Sequence, residues 1–243
     1  KQNGTIKDIS VTPVKNKNGN YMIGLYVDDG VAGVGTLTFF DPNTGEYGAL
    51  GHIITEVQSR TKIDIRKGQI VEAKISGISS GRKGIPGEKR GTFFHPEDVL
   101  GSINKNTNFG IFGVLNRNLI NPYFKNPISV APISRIKEGK AKIYTVVTGG
   151  KIEEFDIKIE RVYRQANPGS KGLIINITDS KLKDVTGGII QGMSGSPIVQ
   201  NNQLVGAVTH VFINDPTRGY GVFAEWMLRE TDILDESRKK KVS

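Results

Sequence analysis

One stretch constrains the fold before any other. Gly192-Met193-Ser194-Gly195-Ser196-Pro197 leads into Ile198-Val199-Gln200, then Asn201-Asn202, then Gln203-Leu204-Val205-Gly206-Ala207-Val208-Thr209. Two apolar runs on either side of a polar Asn-Asn read as antiparallel strands joined by a tight turn. Ahead of them a serine stands between glycines. Gly192 and Gly195 permit a sharp backbone turn and leave room for a substrate to approach. Successive N–H groups in such a turn converge on an anion. A serine hydroxyl beside that point is the arrangement acyl transfer uses. A plain Gly/Ser turn is the competing reading of the loop alone, and the hairpin behind it tips the balance toward a nucleophile.

The rest of the chain reads as β-structure too. Thirty glycines and ten prolines among 243 residues divide it into short segments, which favours an all-β architecture. Strand patterns fall at 21–27, 31–40, 99–103, 109–115, 139–147, 173–177 and 220–224. Residues 63–78 alternate as half-exposed strands, and 151–163 alternate as an exposed strand pair. The Gly-rich basic stretch 79–91 lacks the Gly-Lys-Ser/Thr of a phosphate-binding loop and reads as a mobile surface loop. Residues 226–236 have helical character. The polar stretch 116–127 holds two prolines and is the expected boundary between lobes, dividing the chain into 1–124 and 125–243.

Composition removes several function classes. Without cysteine there is no disulfide, thiolate metal site or Cys nucleophile, and no pattern calls for a metal or a cofactor. The formal net charge of +9 raises nucleic acid and an anionic membrane surface as partners. Aromatic residues are only 7% and are not interleaved with the basic ones, so no nucleic acid is expected. No apolar run approaches the length of a membrane span. The chain opens at Lys1 with no signal-like core, as expected of a portion of something longer.

A serine hydroxyl is a poor nucleophile near neutral pH and needs a base, most often an imidazole. The chain has three histidines. His52 ends the small apolar run Tyr47-Gly48-Ala49-Leu50-Gly51. His95 lies in Phe94-His95-Pro96, a loop. His210 lies on the strand returning from the hairpin, where with Thr209 it is expected to line a substrate groove.

These residues carry a family resemblance. Gly192-Met193-Ser194-Gly195-Ser196-Pro197 with its Leu204-Val205-Gly206 hairpin resembles the nucleophile region of chymotrypsin-like serine peptidases. Gly33-Val34-Gly35-Thr36-Leu37-Thr38-Phe39, Tyr47 to His52, and Gln191 to Ile198 resemble the stage IV sporulation protein B serine peptidases of endospore-forming bacteria. The resemblance implies a chymotrypsin-like double β-barrel with a short C-terminal helix. It implies His52, Asp179 and Ser194 as the catalytic residues, with Asp184 the other acid considered. Asn106-Thr107-Asn108, where chymotrypsin-like enzymes carry their acid, holds none. The N–H groups of Gly192 and Ser194 would form the oxyanion hole, and Gly188, six residues before Ser194, would lie in the specificity pocket. An uncharged residue there implies small or aliphatic side chains at the cleaved position rather than Arg or Lys.

The resemblance further implies a secreted signalling endopeptidase, capable of self-cleavage, working between forespore and mother-cell membranes. Its substrate would be a membrane-anchored regulator of an intramembrane metalloprotease that processes a sigma factor. The full-length protein would carry an N-terminal membrane anchor and a PDZ domain. A catalytically inactive peptide-binding barrel is the reading from another class.

Overall fold

The computed structural model describes residues 12–233, apart from 13, 16, 18, 20, 23–31, 57–59, 66, 67 and 94–98. Its contacts fall into two units, Lys1–Ala32 and Gly33–Ser243. In the first, β1 (Val14–Lys15) pairs antiparallel with β2 (Tyr21–Met22). Most of the strand expected over 21–27, and His95, lie outside the described residues. Every other candidate site residue belongs to the second unit.

The first half of the second unit is a set of short antiparallel strands. β3 (Leu37–Phe40) and β4 (Glu46–Ala49) are joined by the turn at Pro42–Thr44. β5 (Gly68–Val71), β6 (Ala73–Ser79), β7 (Glu88–Phe93), β8 (Val99–Ile103), β9 (Lys105–Thr107) and β10 (Gly110–Val114) follow. One sheet has the order β3-β4-β10-β9, while β5 pairs with β8 and β6 with β7. A bridge between Gly101 and Leu115 carries β8 alongside the end of β10. Tyr47, Ala49, Ile111 and Leu115 form a small buried core here.

The second half closes into a barrel. β11 (Gly139–Val146), β12 (Ile152–Val162), β13 (Leu173–Ile177), β14 (Pro197–Gln200), β15 (Gln203–Phe212) and β16 (Asp215–Phe223) run in the order β11-β12-β13-β16-β15-β14. Closure comes from Lys142 and Ile143 of β11 pairing with Val199 and Ile198 of β14. Alternation decides which side chains point inward. Ile143, Ile157, Ile159, Leu173, Ile175, Ile198 and Phe223 are all fully buried. The turn between β14 and β15 is the expected Asn-Asn. Asn201 and Asn202 both have positive φ, 51° and 58°, as the favoured two-residue hairpin turn requires. The all-β class, with few and short helices, is as the sequence implies.

Four local expectations are corrected. Residues 151–163 are not an exposed strand pair but one barrel strand, β12, bent by a register shift between Ile159 and Arg161. Its alternation is real, but the apolar face fills the barrel. No helix was expected between 177 and the serine loop, yet α1 (Ser180–Thr186) begins there, with Asp179 as its N-cap and Gly187 as its left-handed C-cap. Of the helix expected over 226–236, α2 (Ala224–Leu228) holds only the first three residues, starting two residues early and giving way to a turn at 229.

The fourth correction concerns residues 79–91, which are not a mobile loop. They form the tip and second strand of the β6–β7 hairpin, and the tip is fastened to the second half of the chain. Gly81 N–H donates to Thr186 O at 2.8 Å, and Gly84 N–H to Ile213 O at 2.8 Å. The glycines serve close approach: a Cβ at Gly87 would lie 2.4 Å from Ser79 O.

Barrel packing sets a first prediction. Ile143→Ala removes a fully buried side chain and should destabilise by about 2–5 kcal/mol. Ile120→Ala, at a side chain 93% exposed, should stay within about 0.5 kcal/mol. Urea unfolding midpoints of the two variants measure the difference.

Candidate active site

The nucleophile loop turns on two left-handed glycines, Gly192 (φ 88°) and Gly195 (φ 90°). Gly195 has no room for a side chain. An added Cβ would lie 2.0 Å from Thr36 O and 2.5 Å from Leu50 N. The loop therefore packs backbone to backbone against the segment that carries His52.

Residues 36–38 hold the loop by its carbonyls. Thr36 N–H donates to Ser194 O at 2.9 Å. Thr36 Oγ1 donates to Gly192 O at 3.1 Å, and Thr38 Oγ1 to Gly195 O at 2.8 Å. Thr36 O in turn accepts from Leu50 N–H at 3.2 Å.

The loop's own N–H groups divide sharply. Gln191 donates to Gly87 O, Met193 to Ile190 O, Gly195 to Val208 O and Ser196 to Met193 O. Those of Gly192 and Ser194 have no acceptor in the described residues. They are the two N–H groups that the sequence resemblance assigns to the oxyanion hole.

The structure brings His52, Ser194, Thr209 and His210 together. Ser194 Oγ donates to Thr209 O at 3.0 Å. A Cβ on Gly51 would touch Thr209 Cγ2 at 2.9 Å, so the residue before His52 packs on the same strand position. The His52 and His210 rings lie 5.2 Å apart, tilted by 46°. His52 Nδ1 lies 2.9 Å from Ile53 O. A carbonyl only accepts, so Nδ1 carries the proton and Nε2 is left with its lone pair, the tautomer a general base requires. His210 is pushed down to about 4 by desolvation, then by Coulombic repulsion involving His52 and Lys171. It is thus neutral near pH 7 and adds no charge beside the base.

Gly188 packs against the start of β16. A Cβ there would fall 2.2 Å from Pro216 O, and Ile189 N–H donates to the same carbonyl at 2.7 Å. No side chain fits at 188, charged or otherwise.

Asp179 is not brought to His52. Its Oδ1 accepts from Leu182 N–H at 2.9 Å and its Oδ2 from Asp156 N–H at 3.4 Å. Both carboxylate oxygens therefore serve the helix N-terminus and the neighbouring strand, and no hydrogen bond links Asp179 to His52. Nor does Ser194 Oγ hydrogen-bond to His52; its hydroxyl donates to Thr209 O instead. The orienting contact on His52 is the Ile53 carbonyl.

Sequence reasoning missed three residues here. Asn106 is buried, accepts from Ile54 N–H at 2.9 Å, and donates to Ile54 O at 2.8 Å and Ile63 O at 3.1 Å. A carboxylate there could not donate to either carbonyl, which accounts for an amide in this place. Thr36 and Thr38 are the others. Their signal was a Thr-x-Thr at the head of a strand, which pattern alone does not separate from ordinary β-propensity.

A Gly-flanked serine beside two unengaged N–H groups, with a histidine near it, is the kind of arrangement found in serine peptidases. The chain belongs to the SpoIVB peptidase S55 family, whose model matches residues 19–228. None of the curated proteins matches it. Among solved structures it is similar to the Rv3671c protease in its inactive form, at 16% identity over 68% of this chain and 86% of that one, with a TM-score of 0.38. The active form of that M. tuberculosis protease aligns at 14% identity over 74% and 93%, with a TM-score of 0.35. Human heparin binding protein aligns at 12% identity over 79% and 74%, with a TM-score of 0.36. Likenesses at scores this low carry no weight for fold or function.

Asp179 yields the prediction of this section. Asp179→Asn keeps a capping side chain, whereas Asp179→Ala removes it. If the cap is its whole role, the Asn variant keeps wild-type peptidase activity, and the Ala variant loses about 1 kcal/mol of stability. If Asp179 is the acid partner of His52, the Asn variant loses about four orders of magnitude in kcat, the loss that follows when a chymotrypsin-type serine peptidase has this acid replaced by its amide. Peptide hydrolysis rates of both variants beside their thermal midpoints decide between the two roles.

Proposed function

We propose that the protein is an endopeptidase in which Ser194 is the nucleophile and His52 the general base. It would cleave a membrane-associated regulatory protein during sporulation signalling, and itself. The observation that carries this reading is the pair of free N–H groups at Gly192 and Ser194, in a loop whose other N–H groups are all engaged. Donors held in place without a protein acceptor are what a developing oxyanion needs, each contributing about 3–4 kcal/mol in comparable sites.

In the proposed cycle Ser194 Oγ leaves Thr209 O, turns to His52 Nε2 and attacks the peptide carbonyl. The imidazole takes the hydroxyl proton and returns it to the leaving amine, and water then repeats the exchange to release the acyl group. Thr209 and His210 would flank the substrate. Asp179 remains the acid the resemblance suggests, and it would have to leave its cap to reach the imidazole. The family name supports the sporulation role. The net charge of +9 supports work close to an anionic membrane, in the space between forespore and mother cell.

A second reading, an inactive peptide-binding barrel, is favoured by one contact: the Ser194 hydroxyl donating to Thr209 O rather than to His52. Covalent labelling by a fluorophosphonate separates the two, because it needs an activated serine. Wild-type protein should label stoichiometrically, and Ser194→Ala and His52→Ala should not, with unfolding midpoints unchanged. An unlabelled wild type leaves the binding barrel standing. A peptide-library profile should show small or aliphatic residues at the cleaved position; one dominated by Arg or Lys would contradict the role given to Gly188.

A further inference from the structure

Lys89 lies beneath the nucleophile loop. It is 6% exposed and is the only acidic or basic side chain in the buried set of described residues. Strand β7 carries it there, and three contacts tie it to the loop. Its N–H donates to Gln191 O at 2.9 Å. Its stem covers Gly192, where an added Cβ would meet Lys89 Cβ, Cδ and Cγ at 3.1–3.3 Å. Its Nζ donates to Thr145 Oγ1 at 2.7 Å, and that same oxygen accepts from Ser196 Oγ at 3.1 Å. Thr145 and Ser196 are both fully buried.

This is an expensive arrangement. An ammonium has three donors, and Thr145 supplies its single side-chain acceptor. Burial pushes the amine from an ordinary value of 10.5 down to about 7. The groups facing it are uncharged: Thr145 from β11, Ser196 and Gly192 from the loop, and Ile78, its register partner on β6. Glu88 and Arg90, its neighbours on β7, are exposed. A methionine would fill the same space with no amine to desolvate.

We propose that Lys89 is a positioning residue for the peptidase reaction, an inference that rests on the reading of Ser194 as nucleophile. Through Gln191 and Gly192 on one side and Thr145 and Ser196 on the other, it fixes both ends of the segment that presents the two free N–H groups. Residues 36–38 hold this loop by its carbonyls, and Lys89 braces its opposite side.

The proposal requires opposite effects on stability and reactivity. The folded-state value of Lys89 lies below the unfolded one. Between about pH 7 and 10.5 the unfolded chain therefore binds more protons, and the contribution of this group to stability rises with pH through that window. Lys89→Met removes that slope and should raise the unfolding midpoint at pH 6. It should also speed hydrogen exchange at the hydrogen-bonded amides of Gln191, Met193, Gly195 and Ser196 and slow fluorophosphonate labelling of Ser194, each about ten-fold. Thr145→Val should reproduce both loop effects, and Thr145→Ser, which keeps the hydroxyl, should restore them, so the Thr145 pair decides if Lys89→Met fails to fold. Loop exchange and labelling rates that match wild type in the Lys89→Met and Thr145→Val proteins would overturn the proposal. Failure of the wild type to label would instead overturn the peptidase reading, and the exchange rates would still report whether Lys89 holds the loop.

Discussion

The site depends on Thr36. Its N–H reaches Ser194 O and its hydroxyl reaches Gly192 O, while its own carbonyl takes the N–H of Leu50, two residues before His52. One residue thus joins the segment bearing the base to the loop bearing the nucleophile. The contact is possible only because Gly195 has no side chain, since a Cβ there would sit 2.0 Å from Thr36 O. Backbone groups buried in this way must be paired, so Thr36 and Gly195 constrain each other.

The two halves of the second unit contribute unequally. The closed barrel supplies a rigid wall in β15 and β16, on which Thr209 and His210 stand beside Ser194 and the His52 ring. The first half supplies reach: residues 36–38 hold the loop from one side and the β6–β7 hairpin from another. The hairpin also fastens the stretch from Thr186 to Gln191 through Gly81 and Gly87, which is the stretch carrying Gly188. Neither half presents the site alone. The histidine segment is ordered by its contacts with the loop, and Asn106 clamps the backbone just beyond it at Ile54.

Much of this was legible in the sequence, for physical reasons. The hairpin after Ser194 announces itself because Asn-Asn between apolar runs demands a particular turn, and Asn201 and Asn202 adopt it. His52 and Ser194 could be singled out because a serine nucleophile needs a base and few histidines were available. The alternation of β12 was legible, although alternation does not say whether the apolar face meets a barrel interior or another layer, nor that 151–163 is one strand and not two. Residues 79–91 were misread because glycine has two uses. It loosens a chain in solvent, and it lets two backbones touch, and composition does not distinguish them. Asp179 was legible as important, but its chemistry was not. An aspartate followed by a short helix and Gly187 is a capping signature, and both of its oxygens act accordingly.

The same logic explains why the acid is where this site departs from a complete triad, and why the departure is tolerable for the base. An acid partner has two functions, to select the tautomer of the imidazole and to stabilise its cation. The Ile53 carbonyl performs the first, because it accepts from Nδ1 and leaves Nε2 free. It does little for the second, having no charge. The neutral His210 adds nothing repulsive when the imidazolium forms, so its depressed basicity removes one penalty that the missing carboxylate would otherwise have to offset. The geometry therefore orients the His52 ring through Ile53 O and holds the Ser194 hydroxyl on Thr209 O. Among the described residues no carboxylate is hydrogen-bonded to His52, whose hydrogen-bond partner is the Ile53 carbonyl dipole, and Asp179 could supply a charge there only by leaving its cap.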